Sequence, residues 1–286
     1  MNILILSRRE RYYSTRRLVE VSRRLGHSAK VINPLKYVLT TRKSSENPDV
    51  VIPRIGNVAI EYSLAMVKNF ELMGVPVLNN SDSIYLAKDK FVSLQVLKSN
   101  EVPVPETFMV RSKSLVKKAV KQLGGLPVVL KLLRGSQGIG VKLAQNITEL
   151  INFAESTWTL DHDFIVQKYY PESRGQDTRI LVIGNNVIAG MRRYPRKGDF
   201  RSNIHQGGWS EKVNLPRSYQ TLAKRAAKAI GLQIAGVDII ESKNGPLIIE
   251  VNASPGFEGL EKVTGQDIAK VIIDFACAMA RNRRKR

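Results

Sequence analysis

Two apolar runs near the carboxyl end, I-A-G-V-D-I-I (234–240) and L-I-I-E-V-N (247–252), constrain this chain more than any other feature. Each is a strand-length block of β-formers interrupted by an acid, and Lys243, Asn244 and Gly245 between them can reverse the chain. Side chains alternate along a strand, so Glu250 and Asn252 share one face, and Asp238 points away from Val237 and Ile239. Antiparallel pairing of the two runs brings Asp238, Glu250 and Asn252 together. Three hard oxygen donors suit Mg²⁺ or Mn²⁺ shared with nucleotide phosphates. Acids at these positions also suit plain strand ends and edges, so the pattern alone leaves both readings open.

The rest of the chain sets this hairpin in context. Strand patterns at 2–6, 29–32, 50–52 and 76–78 alternate with helical spacing at 13–25 and 59–73, which stop at Gly26 and Gly74. That alternation predicts a small α/β unit with a parallel sheet. No G-x-G-x-x-G follows its first strand, so it is not read as an NAD site. A helical stretch follows at 82–99 and is broken by V-P-V-P. Further on, the pattern predicts helices at 114–123, 148–155, 218–230 and 266–280. Strands are predicted at 128–131, 141–144, 164–169, 178–183 and 186–192. The expected class is α/β, becoming α+β in the C-terminal part, in three units: 1–88, 89–170 and 171–286.

Composition limits the partners. With 43% hydrophobic and 24% charged residues among 286, the chain is globular, not disordered. No apolar stretch approaches the roughly 18 residues of a membrane span. The amino terminus lacks the basic leader and cleavage site of a signal peptide and reads as a first strand. The single cysteine, Cys277, falls in the apolar pattern of the last helix and is expected to be buried. The expected location is the cytoplasm. A formal net charge of +20 calls for an anionic partner: nucleic acid, nucleotide, ribosome surface or acidic peptide. The basic tail at 281–286 suits either a solvated terminus or a binding arm. Tyr12, Tyr13, Trp158 and Trp209 are expected to pack rather than recognise ligands.

The segment L-K-L-L-R-G-S-Q-G-I-G-V (130–141) places Lys131 on a strand ahead of Gly135, Gly138 and Gly140. Glycines let backbone N–H groups approach phosphate oxygens closely. A strand follows, so this is a hairpin flap. A P-loop would put its lysine after the glycines, and no H-R-D or D-F-G follows as in a protein kinase. A tight turn alone would explain the glycines. Their order is more telling: Asp89-Lys90 opening a helix segment, then Lys131 and the flap, then V-Q-K-Y-Y as a hinge strand, then the two acids.

In that order the chain resembles the ATP-grasp superfamily. Three motifs, V-I-P-R-I-G (51–56), G-D-F-R-S-N-I-H-Q-G-G (198–208) and G-V-D-I-I with I-E-V-N-A-S-P-G-F-E-G-L-E (236–261), make it similar to RimK-type glutamate ligases. Those enzymes add glutamate to the C-terminus of a ribosomal protein. The resemblance implies an ATP-grasp fold with a Rossmann-like pre-ATP-grasp domain. It also implies an ADP-forming acid–amino-acid ligase working through an acyl phosphate, with ATP and two Mg²⁺ or Mn²⁺.

By that resemblance, Lys90 and Lys131 neutralise the α- and β-phosphates. Gly135, Ser136, Gln137 and Gly138 belong to the lid. Gln167, Lys168 and Tyr169 line the adenine hinge, and Asp177 accepts from the ribose. Arg201, Ser202 and Asn203 approach the γ-phosphate, with Arg201 and Asn203 as catalytic residues. Asp238, Glu250 and Asn252 hold the metals. Relatives often carry Glu where Lys168 stands, so only a backbone role transfers there. Arg8, Arg54, Arg179 and His205 are substrate candidates, and Arg192 lies on a strand that could face the nucleotide. Expected partners are glutamate, an acidic peptide or ribosomal protein C-terminus, and the ribosome through the basic surface. The expected assembly is a tetramer. Two alternatives stand: a glutamate ligase for a small coenzyme or lysine-biosynthesis carrier, and a basic RNA-binding protein with an inactive nucleotide fold. Low aromatic content without basic–aromatic interleaving argues against the latter.

Overall fold

The computed structural model describes residues 1–41, 46–135, 140–196 and 207–284. Strand β1 (Asn2–Leu6) is almost wholly apolar because it is the centre of a parallel sheet covered on both faces. The order is β2 (Ser28–Ile32), β1, β3 (Val50–Pro53). Helix α1 (Tyr13–Arg24) buries Leu18, Val19 and Val21, and the chain turns at Gly26, φ +75°. Helix α2 (Ile60–Leu72) covers the other face with Leu64, Val67 and Phe70. The strand expected at 76–78 reduces to one bridge, Val51 to Val77. Pro76 has no N–H to continue a ladder, and the next residue but two, Asn79, ties the chain elsewhere.

Two short helices follow, α3 (Ser81–Lys88) and α4 (Lys90–Ser99), where a single helix was expected. The break is Asp89. Its carboxylate accepts from the Phe91 and Val92 N–H groups at 3.0 and 2.9 Å, which holds its own backbone extended. That cap makes Lys90 the first residue of α4.

The flap unit is an antiparallel sheet, ordered β4 (Thr107–Met109), β7 (Phe164–Lys168), β5 (Val128–Leu132), β6 (Val141–Ala144). Helices α5 (Lys113–Gln122) and α6 (Ile147–Thr159) pack on it around Val116, Leu130, Leu150 and Phe164. β5 and β6 form the expected hairpin, with Lys131 opposite Val141. Gly140 sits at φ +76°, and a Cβ there would lie 2.4 Å from Leu132 Cδ1. Only glycine closes this flap.

The largest sheet is antiparallel: β10 (Trp209–Lys212), β9 (Asn186–Tyr194), β8 (Asp177–Ile183), β11 (Ile234–Ile240), β12 (Leu247–Asn252). Helix α7 (Arg217–Ile230) lays Tyr219, Leu222, Ala223, Ala226, Ala227 and Ile230 against it, a continuous helical stripe. Two helices close the chain, α8 (Glu258–Thr264) and α9 (Ile268–Arg284). Residues Ile272, Ile273, Ala276 and Cys277 of α9 share a core with Ile3, Ile5 and Ile52 of the first sheet, with Leu18 of α1, and with Leu181 and Ile183 of β8. Cys277 is buried, as expected. Trp209 is 54% exposed and stacks on Tyr194 with ring centroids 4.0 Å apart, so it packs on one face only. Among the described residues no helix is long and apolar enough to cross a membrane.

Asn79 locks the first unit to the metal-candidate strands. Its Nδ2 donates to the Ile234 and Ala253 carbonyls at 2.7 and 2.9 Å, and its Oδ1 accepts from the Gln233 and Ile234 N–H groups at 2.7 and 2.9 Å. Asn79 is 1% exposed, so Asn79→Ala strands four backbone groups away from water. The expected loss is about 2–4 kcal/mol, read as a lower urea midpoint at unchanged m-value.

Candidate active site

In the register of the large sheet, Arg179 of β8 lies opposite Asp238 of β11, and Asp238 lies opposite Glu250 of β12. The pairing slips by one residue just after Asp238, a β-bulge of the kind that re-aims side chains at sites. Asp238 is 2% exposed. Arg179 grips it as a fork, Nε to Oδ1 at 2.7 Å and Nη2 to Oδ2 at 2.6 Å. One row over, Arg193 Nε meets Asp177 Oδ1 at 2.6 Å, and its Nη2 reaches Asp238 Oδ2 at 3.0 Å. Burial alone would raise the Asp238 carboxyl; Arg179 and Arg193 outweigh it and hold the group below the ordinary range. Burial likewise opposes the Arg193 charge, and Asp177 and Asp238 more than restore it.

Arg193 is the residue that sequence reasoning missed. Arg192, expected on a strand that could face the nucleotide, has the opposite strand phase from Arg179 and sits 3.9 Å from Glu241. The adjacent arginines could not be told apart until Asp177 was seen opposite Arg193.

Two lysines close in from other elements. Lys90 Nζ donates to the Gly135 carbonyl at the flap edge, 2.9 Å. Lys131 Nζ donates to Gln167 Oε1 at 2.7 Å, and Gln167 Nε2 to Thr107 Oγ1 at 2.9 Å. Burial lowers Lys131 to about 8, while Glu250 pulls the other way and Lys90 adds to the fall. Gln167 thus positions a lysine as well as lying on the hinge strand. The Lys168 N–H donates to the Glu106 carbonyl at 2.9 Å, so a backbone role for Lys168 rests on its carbonyl.

A group titrating near 8 must answer an incoming anion. Burial holds Lys131 down at about 8, and a triphosphate raises its pKa. ATP binding is therefore expected to take up protons near pH 8, an uptake that fades toward pH 6. Calorimetry in buffers of different ionisation enthalpy measures this.

Arg54 follows β3 at the carboxyl end of the parallel sheet, where ligands meet open α/β sheets. Its Nη2 donates to the Pro255 carbonyl at 2.7 Å, just past the metal-candidate strand. Arg8 lies two residues beyond β1 and is partly buried. Ser136, Gln137, Gly138, Arg201, Ser202, Asn203 and His205 lie outside the described residues.

Among the described residues, no three His, Cys, Asp or Glu side chains form a metal-holding group. The candidate set is instead two carboxylates and an amide. Asn252 Nδ2 is buried without an acceptor. Turned over, the amide would put an unpaired oxygen there, on the same strand face as Glu250, which a cation would satisfy. Glu250 and Asn252 supply donors that fit a hard divalent ion completed by phosphates and water; Asp238, both of whose oxygens are held by arginines, would join them by giving up part of its contact with Arg179 or Arg193.

A family model described as a RimK-like ATP-grasp domain matches residues 87–276, and one described as a RimK pre-ATP-grasp domain matches residues 1–84. The chain belongs to the RimK-like ATP-grasp family. A relative from Alkalilimnicola ehrlichii, named probable alpha-L-glutamate ligase, is 42% identical over 296 residues, covering all of this chain and 98% of its own. The RimK domain ATP-grasp protein of Sphaerobacter thermophilus superposes with a TM-score of 0.80 at 25% identity, covering 96% of this chain and 99% of that one. The ATP-grasp ligase PsnB, crystallised with a phosphomimetic variant of minimal precursor, Mg and ADP, reaches a TM-score of 0.77 at 19% identity, covering 98% of each chain. The fold is ATP-grasp with an N-terminal pre-ATP-grasp domain, and the protein is an ATP-dependent ligase.

Proposed function

We propose that this protein joins the amine of L-glutamate to a carboxylate at the C-terminus of an acidic peptide or ribosomal protein. The observation that carries the reading is the gathering of Lys90, Lys131 and the Arg179–Asp238–Glu250 row between the flap and the large sheet. The names of the relatives support glutamate as the amino acid. An acidic acceptor suits a chain of net charge +20.

A carboxylate is a poor electrophile, so it must be activated. Its oxygen attacks the γ-phosphorus of ATP, the bond to the β–γ bridging oxygen breaks, and ADP leaves. The glutamate amine then attacks the acyl carbon, phosphate departs, and the nitrogen loses a proton. Lys90 and Lys131 offset the phosphate charge, and Gln167 holds Lys131 in place. Arg201 and Asn203 are assigned to the transferred phosphoryl group. Gln167, Lys168 and Tyr169 are assigned to the adenine, and Asp177 to the ribose. Asp238, Glu250 and Asn252 would hold Mg²⁺ or Mn²⁺, which supplies charge neutralisation at the phosphates. Arg8, Arg54 and His205 are assigned to substrate.

The test mixes purified protein with ATP, Mg²⁺, glutamate and peptides ending in glutamate, with small-molecule acceptors in parallel. Intact mass is expected to rise by glutamyl steps on the peptides. An ATP-dependent step on the small molecules alone overturns the peptide acceptor. No step on any acceptor, together with salt-sensitive RNA binding, overturns the ligase reading for this chain.

A further inference from the structure

Arg54 is held by two parts of the chain. The first sheet fixes its backbone, because the Arg54 N–H donates to the Leu6 carbonyl at 2.8 Å. The loop after β12 fixes its side chain. There Nη2 donates to the Pro255 carbonyl at 2.7 Å. The guanidinium carbon also lies 5.8 Å from the centre of the Phe257 ring, within reach of cation–π attraction. A guanidinium has more N–H groups than these contacts use. Among the described residues Arg54 forms no ion pair.

The ring under Arg54 is itself fixed. Phe257 is 0% exposed. Tyr13 of α1 meets it edge-on, with ring centroids 6.1 Å apart and planes at 73°. The Tyr13 hydroxyl donates to Glu261 Oε2 at 2.6 Å. That oxygen also accepts from Arg17 Nε at 3.3 Å, and Glu261 Oε1 accepts from the Ala269 N–H at 3.1 Å. Pro255 is seated as firmly. A Cβ added at Gly236 of β11 would lie 2.7 Å from Pro255 Cβ, so no larger residue fits there without moving the loop. The loop therefore packs directly on the strand that carries Asp238.

Building on the ligase reading above, we propose that Phe257 is a positioning residue for Arg54, and that Arg54 held in this way binds a substrate carboxylate with its remaining N–H groups. The loop from Ala253 to Phe257 is then a spacer. It joins the metal-candidate strand β12 to the guanidinium and sets where the carboxylate lies relative to the phosphates. A free arginine side chain has many rotamers, and ordering it opposes binding. Contact with the ring and the Pro255 carbonyl orders Arg54 before substrate arrives. Glutamate and the acceptor both carry carboxylates, and a guanidinium recognises either.

The experiment is a double-mutant cycle on the full chain. It reads kcat/KM for glutamate and for a peptide ending in glutamate, and the KM for ATP. Phe257→Leu keeps an apolar side chain and removes the ring face. It is expected to lower kcat/KM for one carboxylate substrate by about fivefold or more, with the ATP KM within about twofold. A loss confined to glutamate assigns Arg54 to the amine donor, and a loss confined to the peptide assigns it to the acceptor. In an Arg54→Met background, Phe257→Leu is expected to change kcat/KM by less than about twofold, because its effect runs through the guanidinium. An equal effect of Phe257→Leu in both backgrounds overturns the proposal, and so does an ATP KM that rises in step. Arg54→Met with wild-type kcat/KM for both substrates overturns it whether or not any Phe257 variant folds. The ligase reading is judged apart from this, by the ATP-dependent mass step of the wild type. An active wild type with any of these contrary results removes only the role of Phe257 and Arg54.

Discussion

Glu250→Gln is expected to lower the rate of glutamyl transfer by about a hundred- to a thousandfold and to leave the protein folded. The substitution keeps the shape of a side chain that is only partly buried, so β12 keeps its register with β11. What it removes is a negative charge that acts on two buried lysines. Glu250 raises the pKa of Lys131 and of Lys88. Its loss lets both fall further, so the lysines reach neutrality at lower pH just where phosphate charge must be offset. It also takes one of two carboxylates from the proposed metal set. Intact-mass kinetics gives the rate, and a thermal melt checks the fold. Wild-type turnover would take Glu250 out of that set.

Arg193→Met is expected to destabilise the protein by about 3–5 kcal/mol. Arg193 is 9% exposed, and its partners Asp177 and Asp238 are 7% and 2% exposed. Without it, Asp238 keeps Arg179 but loses one of two neutralising charges, and Asp177 loses the Nε contact. Arg193→Lys is expected to recover little, because an ammonium cannot reproduce a fixed fork between two carboxylates. The pH dependence has a definite sign. A depressed folded pKa at Asp238 adds stability above the unfolded value and loses it as pH falls through the folded one. Arg193→Met brings the folded value back up, so acid unfolding begins at higher pH than in the wild type. Urea titrations at pH 7 and at lower pH measure both effects. Unchanged stability would mean that the charge row carries none of the fold.

Local rules made much of this fold readable. Helices ending at Gly26 and Gly231 have αL glycines there, φ +75° and +76°, and the buried stripe of α7 runs at helical spacing. The flap hairpin was legible because β-formers follow its glycines. Weaker signals were lost. Asp89 splits 82–99 through side-chain capping that apolar periodicity does not register. Strands β4 and β10 have three and four residues, too short to show alternation, and exist because β7 and β9 offer them an edge. Helix α8 sits inside a motif read for chemistry, although Gly265 at φ +70° marks its end.

The sequence alone determined the kind and order of most elements, and that Asp238 and Glu250 face each other across a hairpin. Those follow from period-2 alternation and a short turn, which act between near neighbours. Only the tertiary structure decided which cations meet those acids. Arg193 reaches Asp238 because β8 lies between β9 and β11 and fixes their phase. Arg54 meets the Pro255 carbonyl because the end of β3 lies against the loop after β12, 201 residues further along the chain. Contacts of that kind depend on sheet order and shared cores, which no local pattern encodes.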